Sequence, residues 1–412
     1  MNNGSLFAEV LRQENRHNPY PLYAQLRETP VSVQDDGTYV VSTYAEIRSL
    51  LYDPRISSNE AKNLKSAGDS GVSTSDASSN QDDTPPPAFI HLDPPDHDRL
   101  RSIVMNQFTP QRLQVIRARV EEVVKHLLDN CRERDPLDIV DDFAYPLPVT
   151  VICKLLGVPV EDEQYFQERS TVLASSLDPD RRSDEEDARR ITEARSQLAS
   201  YMHKQIENRR QHPGNDLLSA MIANGDLEAG RMTEAEMVSI SMLLLIAGHE
   251  TTVNLITNGM LTLLRYPEHL ERLRQNPELA PKLVQELLRF EPPVQFRTRT
   301  TLADIELAGT VIPKGVPLVL LFAAGNRDPA QFNDPEQFDP ERQNNQHFGF
   351  GGSLHLCVGA PLARMEGELA LRALVQRLQS PHLAEDVPEY REGASLRGPR
   401  HLFVKVDAVT DA

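Results

Sequence analysis

Cysteine is scarce in this sequence, with only Cys131, Cys153 and Cys357 among 412 residues. None of the three belongs to a CxxC pair, so the sequence offers no disulfide framework and little support for a structural zinc site. A sparse, odd number of cysteines is typical of proteins in a reducing compartment. We therefore expect a cytoplasmic protein.

Positive charge is also in short supply. The chain has 43 lysine and arginine residues against 61 aspartate and glutamate residues, which gives a formal net charge of −18. Such an acidic chain is poorly suited to nucleic acid or to an anionic membrane surface, and we expect neither as a partner. The total does not exclude a local basic patch.

Long apolar runs and nucleotide-binding motifs are missing as well. No stretch reaches the ~18 apolar residues that cross a bilayer, and the first residues lack the basic region and apolar run of a signal peptide. The sequence also contains no glycine-rich dinucleotide fingerprint and no P-loop. It therefore predicts a soluble chain without a membrane anchor and without a recognisable site for NAD(P)H.

The residues that are present predict a mainly helical fold with a small β region. The composition, 39% hydrophobic and 25% charged, is globular, and the length allows one large domain or two smaller ones. A polar segment, residues 57–88, is predicted to be a flexible loop, either a surface insertion or a lid over a pocket. From the helical and alternating spacing of apolar residues we predict helices over 21–28, 110–130, 161–177, 185–211, 233–266, 281–290 and 358–378, and strands over 31–33, 39–41 and 316–322.

The most informative stretch is the glycine-rich segment 347–364, which places Cys357 just before a predicted helix. Glycine permits tight turns and a close approach of the backbone to a flat ligand. Free amides at the start of a helix favour a thiolate at Cys357. A single thiolate is also the protein ligand that haem iron takes where dioxygen is to be cleaved.

This segment resembles the cysteine-ligand loop of the cytochrome P450 family, specifically of its soluble bacterial members. The match covers residues 350–364, including His355, Cys357 and Gly359. One position departs from the pattern: the family usually has glycine four residues before the cysteine, where this chain has Ser353. That departure leaves open either an altered loop geometry or a shift of the loop by two residues.

The resemblance extends over essentially the whole chain. It implies that residues 1–412 form one P450 domain, a triangular, mainly helical prism with a small sheet region that encloses haem b. It also implies that Cys357 is the axial ligand of the haem iron.

A second motif lies on the predicted helix 281–290. Glu286 and Arg289 are three residues apart and therefore face the same side. They resemble the ExxR pair of the family, and Arg342 resembles the third member of that group. The resemblance implies a structural network that locks the segment before the cysteine loop, whereas an exposed helix pair is the ordinary alternative.

A third motif, residues 247–252, lies in the predicted helix 233–266. It resembles the oxygen-activation motif of the family, and an acidic residue and two threonines in a buried helix need a reason, because unpaired polar groups are costly there. The resemblance implies that Thr251 holds a proton-donating water network at dioxygen, that Glu250 relays protons from solvent, and that Gly248 leaves room for oxygen. The alternative is that threonine bonds the carbonyl one turn back.

The resemblance further implies which residues contact haem and substrate. Arginine suits the haem propionates because its fork binds carboxylates bidentately, and Arg297 competes with Arg299 for that role. The cofactor-binding residues implied are His97, Arg101, Ala247, Arg299, His355, Cys357 and Gly359. The substrate-pocket residues implied are Leu243, Ile246, Ala247, Val294, Phe296 and Leu396, each of which could instead be core.

The activity implied is that of a haem-thiolate monooxygenase. It would activate dioxygen with electrons from a ferredoxin and its ferredoxin reductase, and hydroxylate or epoxidise an apolar organic substrate, such as a polyketide or macrolide of secondary metabolism. Arg101, Arg112 and Arg364 would form a basic patch for the ferredoxin. Two alternatives stay open: a peroxide-using or non-monooxygenase member of the same fold, and a non-enzymatic haem-binding or gas-sensing protein.

Overall fold

The described part of the chain is mainly helical. The computed structural model describes residues 5–62, 85–177, 185–223 and 231–411, and helices hold far more of these residues than strands do. The predicted mainly helical fold with a small β region is thus confirmed. The helices are α1 (Leu6–Leu11), α2 (Tyr20–Arg27), α3 (Tyr44–Leu51), α4 (Asp96–Met105), α5 (Pro110–Asn130), α6 (Pro146–Leu156), α7 (Glu163–Ser175), α8 (Glu185–Gln211), α9 (Leu217–Ala223), α10 (Glu234–Arg265), α11 (Pro267–Gln275), α12 (Ala280–Phe290), α13 (Phe322–Gly325) and α14 (Ala360–Arg377).

The strands are short and form several small sheets. The largest has the order β1-β2-β8-β5-β3, in which β2 and β8 are parallel and the other pairs are antiparallel. The strands are β1 (Val31–Val33), β2 (Tyr39–Val41), β3 (Ile56–Ser57), β4 (Leu137–Asp138), β5 (Arg297–Thr301), β6 (Ile305–Leu307), β7 (Thr310–Ile312), β8 (Pro317–Leu320), β9 (Leu378–Gln379), β10 (His382–Leu383), β11 (Phe403–Lys405) and β12 (Ala408–Val409).

Helix α10 lies at the centre of the helical part. The Thr233 hydroxyl accepts from the backbone N–H of Glu236, and the Glu236 side chain accepts from the backbone of Thr233, so the predicted capping box forms. By length and hydropathy α10 could span a membrane, but 72% of its apolar window is buried inside the molecule. It is packed as a core helix.

Helices α6, α7, α8 and α14 pack against α10, and α14 also packs against α5 and α12. Their apolar side chains form the largest cluster of buried residues in the described structure. Helix α14 therefore connects the segment that carries Cys357 to the central helix. A second buried cluster joins α1 and α2 to the largest sheet.

The predicted boundaries hold to within a few residues, with two instructive differences. Helix α14 begins at Ala360 rather than 358, because Pro361 occupies its first turn, where a missing N–H costs nothing. The predicted strand 316–322 ends at Leu320, since the N–H of Asn326 donates to the Phe322 carbonyl and closes a helical turn.

The predicted loop 57–88 is described only at its two ends. The Ser57 hydroxyl donates to Asp93 Oδ2 at 2.5 Å, and the Ser239 hydroxyl of α10 donates to the Pro86 carbonyl at 2.6 Å. The rest of the predicted loop, residues 63–84, lies outside the described residues.

Candidate functional site

Cys357 lies on a tight loop three residues before α14. Its backbone N–H donates to the Phe350 carbonyl at 3.0 Å, and the N–H of Gly351 donates to the Phe348 carbonyl at 2.8 Å. The Arg364 guanidinium, from the first turns of α14, lies 4.5 Å from the centre of the Phe350 ring. The loop is therefore held by its own backbone hydrogen bonds and by the contact of Arg364 with the Phe350 ring.

Ser353 takes up the backbone conformation that glycine prefers. Its φ is +55°, in the left-handed region, as is that of Gly351 at +70°. A side chain in this region costs roughly 1–2 kcal/mol. Because Cys357 still bonds Phe350 seven residues earlier, the geometry favours an unshifted loop in which the serine accepts local strain.

The surroundings of Cys357 have opposing effects on the pKa of its thiol. Crowding by the protein raises the pKa of the thiol, although the residue keeps an accessible surface. The backbone N–H of Gly359 and the guanidinium groups of Arg101 and Arg364 lower that pKa. A metal that binds the thiolate would outweigh the desolvation, since coordination removes the proton.

Two histidines meet beside the cysteine loop. His97 of α4 is 1% exposed, and its ring centre lies 4.4 Å from that of His355. His97 Nδ1 contacts Asp98 Oδ1 at 2.7 Å, whereas its buried Nε2 has no hydrogen-bond partner among the described residues. Donation from this nitrogen to an acceptor oxygen, such as that of a haem propionate, would complete its hydrogen bonding.

The two predicted propionate arginines approach the same region. Arg101, one turn after His97, donates from Nη2 to the Leu356 carbonyl next to Cys357. Burial, with Arg299 and His97 nearby, lowers the pKa of His355 to about 3, so this ring is neutral. The charge of Arg299 lowers the pKa of His355, whereas the charge of Arg297 lowers the pKa of Cys357. The donor set fits haem: one thiolate with cationic and imidazole groups at its side.

The third motif lies in the middle of α10. The Thr251 hydroxyl donates to the Ala247 carbonyl at 2.9 Å, which is the local bond that the sequence allowed as an alternative. Its oxygen keeps lone pairs that can accept a further hydrogen bond. Gly248 faces α6: a Cβ there would lie 2.8 Å from Ile152 Cδ1. Glycine at this position therefore serves at least the close packing of two helices.

Glu250 is buried but strongly paired. Its Oε2 accepts from Arg391 Nη1 at 2.9 Å, and its Oε1 lies 3.5 Å from His249 Nε2. Burial alone would raise its pKa, but His249, Arg391 and the Thr171 hydroxyl together lower it to about 2. Glu250 is therefore ionised at neutral pH.

The sequence analysis missed Glu366 on α14. Its carboxyl group is buried, and neither oxygen has a hydrogen-bond partner among the described residues. Burial raises its pKa to about 8, and the nearby Thr252 hydroxyl lowers it slightly. A protonated carboxyl group thus lies next to the motif of α10. The signal in the sequence was one glutamate on the apolar side of the last helix.

The predicted Glu286 network is present and fully buried. Arg289 donates from Nε to Glu286 Oε2 at 2.8 Å and from Nη2 to Oε1 at 2.7 Å, and both side chains are 0% exposed. Arg342 Nε and the Asp339 N–H also donate to Oε1, at 3.3 and 2.9 Å. The remaining donors of Arg289 reach the carbonyls of Asn326, Pro335 and Gln337.

The predicted pocket residues separate into two groups. Val294 and Leu396 form a β-bridge with each other, and Leu243 and Ile246 are partly buried at the edge of the core. Phe296 instead packs edge-on against Phe7, with ring centres 5.4 Å apart, and is 0% exposed within the N-terminal core. The structure therefore assigns Phe296 to the core, because its ring fills the space between α1 and the sheet.

Comparison with known proteins gives consistent matches. The family model described as Cytochrome P450 matches residues 70–406. The chain is 37% identical over 413 residues to 6-deoxyerythronolide B hydroxylase of Saccharopolyspora erythraea, covering 94% of this chain and 96% of that protein. It is also 37% identical over 388 residues to vitamin D(3) 25-hydroxylase of Pseudonocardia autotrophica, covering 92% of each chain. The ligand-free crystal structure of Mycobacterium smegmatis CYP164A2 superposes with a TM-score of 0.89 at 36% identity, covering 98% of this chain and 100% of that one.

Replacing Glu286 with alanine should destabilise the protein and impair haem retention. The change leaves the buried guanidinium of Arg289 without its carboxylate, a loss that typically costs about 3–5 kcal/mol. Denaturant unfolding and the haem-to-protein absorbance ratio measure both effects. As a control, Glu341→Ala removes an exposed carboxylate that pairs with Arg272 at 2.6 Å and should leave stability and haem content nearly unchanged. Equal stability and haem content in the two variants would contradict the assigned role.

Replacing Glu366 with glutamine should change how stability depends on pH. The pKa of about 8 lies above the value of about 4.3 in an unfolded chain. The folded protein therefore holds a proton that the unfolded chain releases, a contribution fully present below about pH 4.3 and lost as pH rises towards 8. Glutamine cannot ionise, so the free energy of unfolding of Glu366→Gln should fall less steeply over this range. Parallel pH profiles for both proteins would refute a protonated Glu366.

Proposed function

The chain belongs to the cytochrome P450 family and is a monooxygenase that uses haem and dioxygen on organic substrates, and from this premise we propose its finer function. We propose that it takes electrons from a ferredoxin with its ferredoxin reductase and hydroxylates or epoxidises an apolar secondary metabolite, such as a polyketide or macrolide. We further propose that residues 1–412 act as one domain in the cytoplasm.

The site assignment rests on one observation: a cysteine, a histidine and an arginine lie close together at one loop. An accessible cysteine, a buried histidine nitrogen without a partner and the side chain of Arg101 converge there. We propose Cys357 as the axial ligand and His97, Arg101, Arg299 and His355 as the propionate partners. Bound haem supplies the iron at which dioxygen is activated. The chain supplies the thiolate, neutralises the propionates and holds the protons.

The proton donors are proposed to be groups of α10. The Thr251 oxygen can accept a hydrogen bond from a water molecule while its own O–H donates to the Ala247 carbonyl. Glu250, one residue away, is an ionised carboxylate, so it would first accept a proton and then pass it towards that water. Ala247 and Gly359 border the proposed haem from α10 and from the cysteine loop. Their roles rest on the family pattern, to which their positions correspond.

The face beside Cys357 suits an acidic, partly apolar electron donor. Arg101, Arg112 and Arg364 are all partly exposed despite the net charge of −18, and Arg101 and Arg364 lie near Cys357. Leu354 and Leu356 add apolar surface, at 51% and 47% exposed. Positive charge attracts an acidic ferredoxin, and the leucines provide area that association can bury.

The proposed substrate class rests on the relatives and on the apolar character of the pocket candidates. One relative is named as a hydroxylase of 6-deoxyerythronolide B and another of vitamin D(3), at equal identity. Both names denote large, mainly apolar ring compounds. Leu243, Ile246, Val294 and Leu396 would offer such a skeleton apolar contacts.

Reconstitution with redox partners tests the proposal. The holoenzyme should show the carbon monoxide difference band of a thiolate-ligated haem and, with NAD(P)H, ferredoxin reductase and ferredoxin, should oxidise members of a panel of polyketides, terpenes, peptides and fatty acids. Its reduction should slow as ionic strength rises, because the docking charges are screened. Product formation that requires hydrogen peroxide instead of the partners would reject the proposed function.

Replacing Thr251 with alanine should uncouple electron consumption from product formation. Less NAD(P)H should end in product and more in hydrogen peroxide, because the water network loses its acceptor. Thr257→Ala is a matched control, since that hydroxyl also donates to the carbonyl four residues back, at 2.8 Å, further along α10. Equal product per NAD(P)H in the Thr251 variant and the wild type would exclude the proposed role.

A further inference from the structure

His249, in the middle of α10, is 0% exposed and is not used in the function described so far. Its Nδ1 lies 2.6 Å from the Leu245 carbonyl of its own helix. Its Nε2 lies 3.4 Å from the Ser170 hydroxyl of α7 and 3.5 Å from Glu250 Oε1. Among the described residues, the three polar atoms that these ring nitrogens contact are thus all oxygens.

The hydrogen-bond roles of these oxygens determine where protons must lie. The Leu245 carbonyl can only accept, so Nδ1 carries a proton. The Ser170 hydroxyl donates to the Gln167 carbonyl at 3.1 Å, so it faces Nε2 with a lone pair. Glu250 Oε1 has no hydrogen-bond partner among the described residues and also faces Nε2 with a lone pair. While Ser170 keeps its bond to Gln167, a bare Nε2 would place three lone pairs together in a buried space, whereas a proton on Nε2 would lie between two acceptor oxygens.

We propose that His249 is doubly protonated and acts as a positioning residue that stores the proton which Glu250 relays. The proposal rests on the proposed relay through Glu250 and deepens it. The transfer moves one proton from Nε2 to Oε1, which leaves a neutral imidazole and a neutral carboxylic acid. No electron changes hands, and the neutral acid then passes the proton towards the water at Thr251.

The groups around His249 suit such a store. Glu163 of α7 is half-buried. Burial raises the pKa of its carboxyl group, and the interaction with His249 lowers that pKa. Arg391, from the C-terminal segment, pairs with the other oxygen of Glu250 and keeps 24% of its side chain exposed. Tyr145, before α6, contributes a buried hydroxyl without a partner among the described residues, its ring centre 5.9 Å from that of His249. Cys153 of α6, which lies near Tyr145, is a neutral buried thiol whose pKa burial raises to about 12.

Glu163 and Ser170 mark the side from which the store can be refilled. Glu163 is at the first position of α7 and Ser170 lies two turns further along the same helix. The Ser170 oxygen accepts from Nε2 in the charged state, and rotation of its hydroxyl lets it donate to Nε2 once the ring is neutral. A proton entering at α7 can thus reach His249 without passing Thr251.

Nitrogen NMR of the holoenzyme tests the protonation directly. The ferrous carbon monoxide form, labelled with ¹⁵N at its 12 histidines, should contain one buried imidazolium at pH 7 that is missing in His249→Gln and becomes neutral in Glu250→Gln. Ser170→Ala perturbs the same signal and identifies it if His249→Gln does not fold. A His249 signal of a neutral ring with a bare nitrogen would overturn the proposal.

Product yield per NAD(P)H separates proton storage from packing. Glutamine keeps an N–H towards Glu250 but cannot deliver a proton, so His249→Gln should lower the yield about tenfold, less than the loss of a direct proton donor. The matched control is His203→Gln, an exposed histidine 3.2 Å from Glu234 Oε1, which should leave the yield unchanged.

The variants also distinguish proton storage at His249 from the relay through Glu250. A normal yield in His249→Gln overturns the storage role while leaving the Glu250 relay intact. A normal yield in Glu250→Gln overturns the relay itself, and the storage role falls with it. A double variant no worse than Glu250→Gln supports a single path through both residues, whereas additive losses overturn that path.

Discussion

The buried pair of Glu286 and Arg289 is the constraint on which the geometry around the cysteine depends. Two parallel N–H···O bonds leave Arg289 donors for the segment before the cysteine loop, and Asn326 in turn accepts from the Phe348 N–H at 2.7 Å. The free-energy cost of desolvating two charges is offset only when the remaining lone pairs and protons of the pair also form hydrogen bonds. Here the donors come from a segment without regular secondary structure, so the pair orders backbone that no helix or sheet would otherwise hold.

The same constraint explains why helix α14 can present Cys357 where it does. The loop is bonded to its own backbone through Phe350, and Gly349 lies so close to α12 that a Cβ would meet the Leu288 carbonyl at 2.6 Å. The Glu286 network and this close approach thus hold the loop from the α12 side. The packing of α14 on α10 then brings Glu366 to the helix that carries Thr251 and Thr252.

The sequence predicted the elements of this arrangement better than it predicted contacts. Helical periodicity and capping residues identified α5, α8 and α10 nearly to the residue, because those signals are local. The placement of Phe296 in the N-terminal core and the pairing of Glu250 with Arg391 could not be read from spacing. Both depend on segments more than 100 residues apart in the chain, brought together only by the fold.

Buried polar groups in this protein differ in whether their hydrogen bonds are complete. Both oxygens of Glu286 have partners, and its role is to hold the chain in place. His97 Nε2, Glu250 Oε1 and both oxygens of Glu366 lack partners among the described residues, at a cost that folding alone does not justify. His97 and Glu250 are among the residues proposed above to bind a haem propionate and to relay protons. Asn345, which donates to Glu286, also has an oxygen without a partner among the described residues. An unmet hydrogen bond is therefore a reason to test a buried group and is not by itself a sign of chemistry.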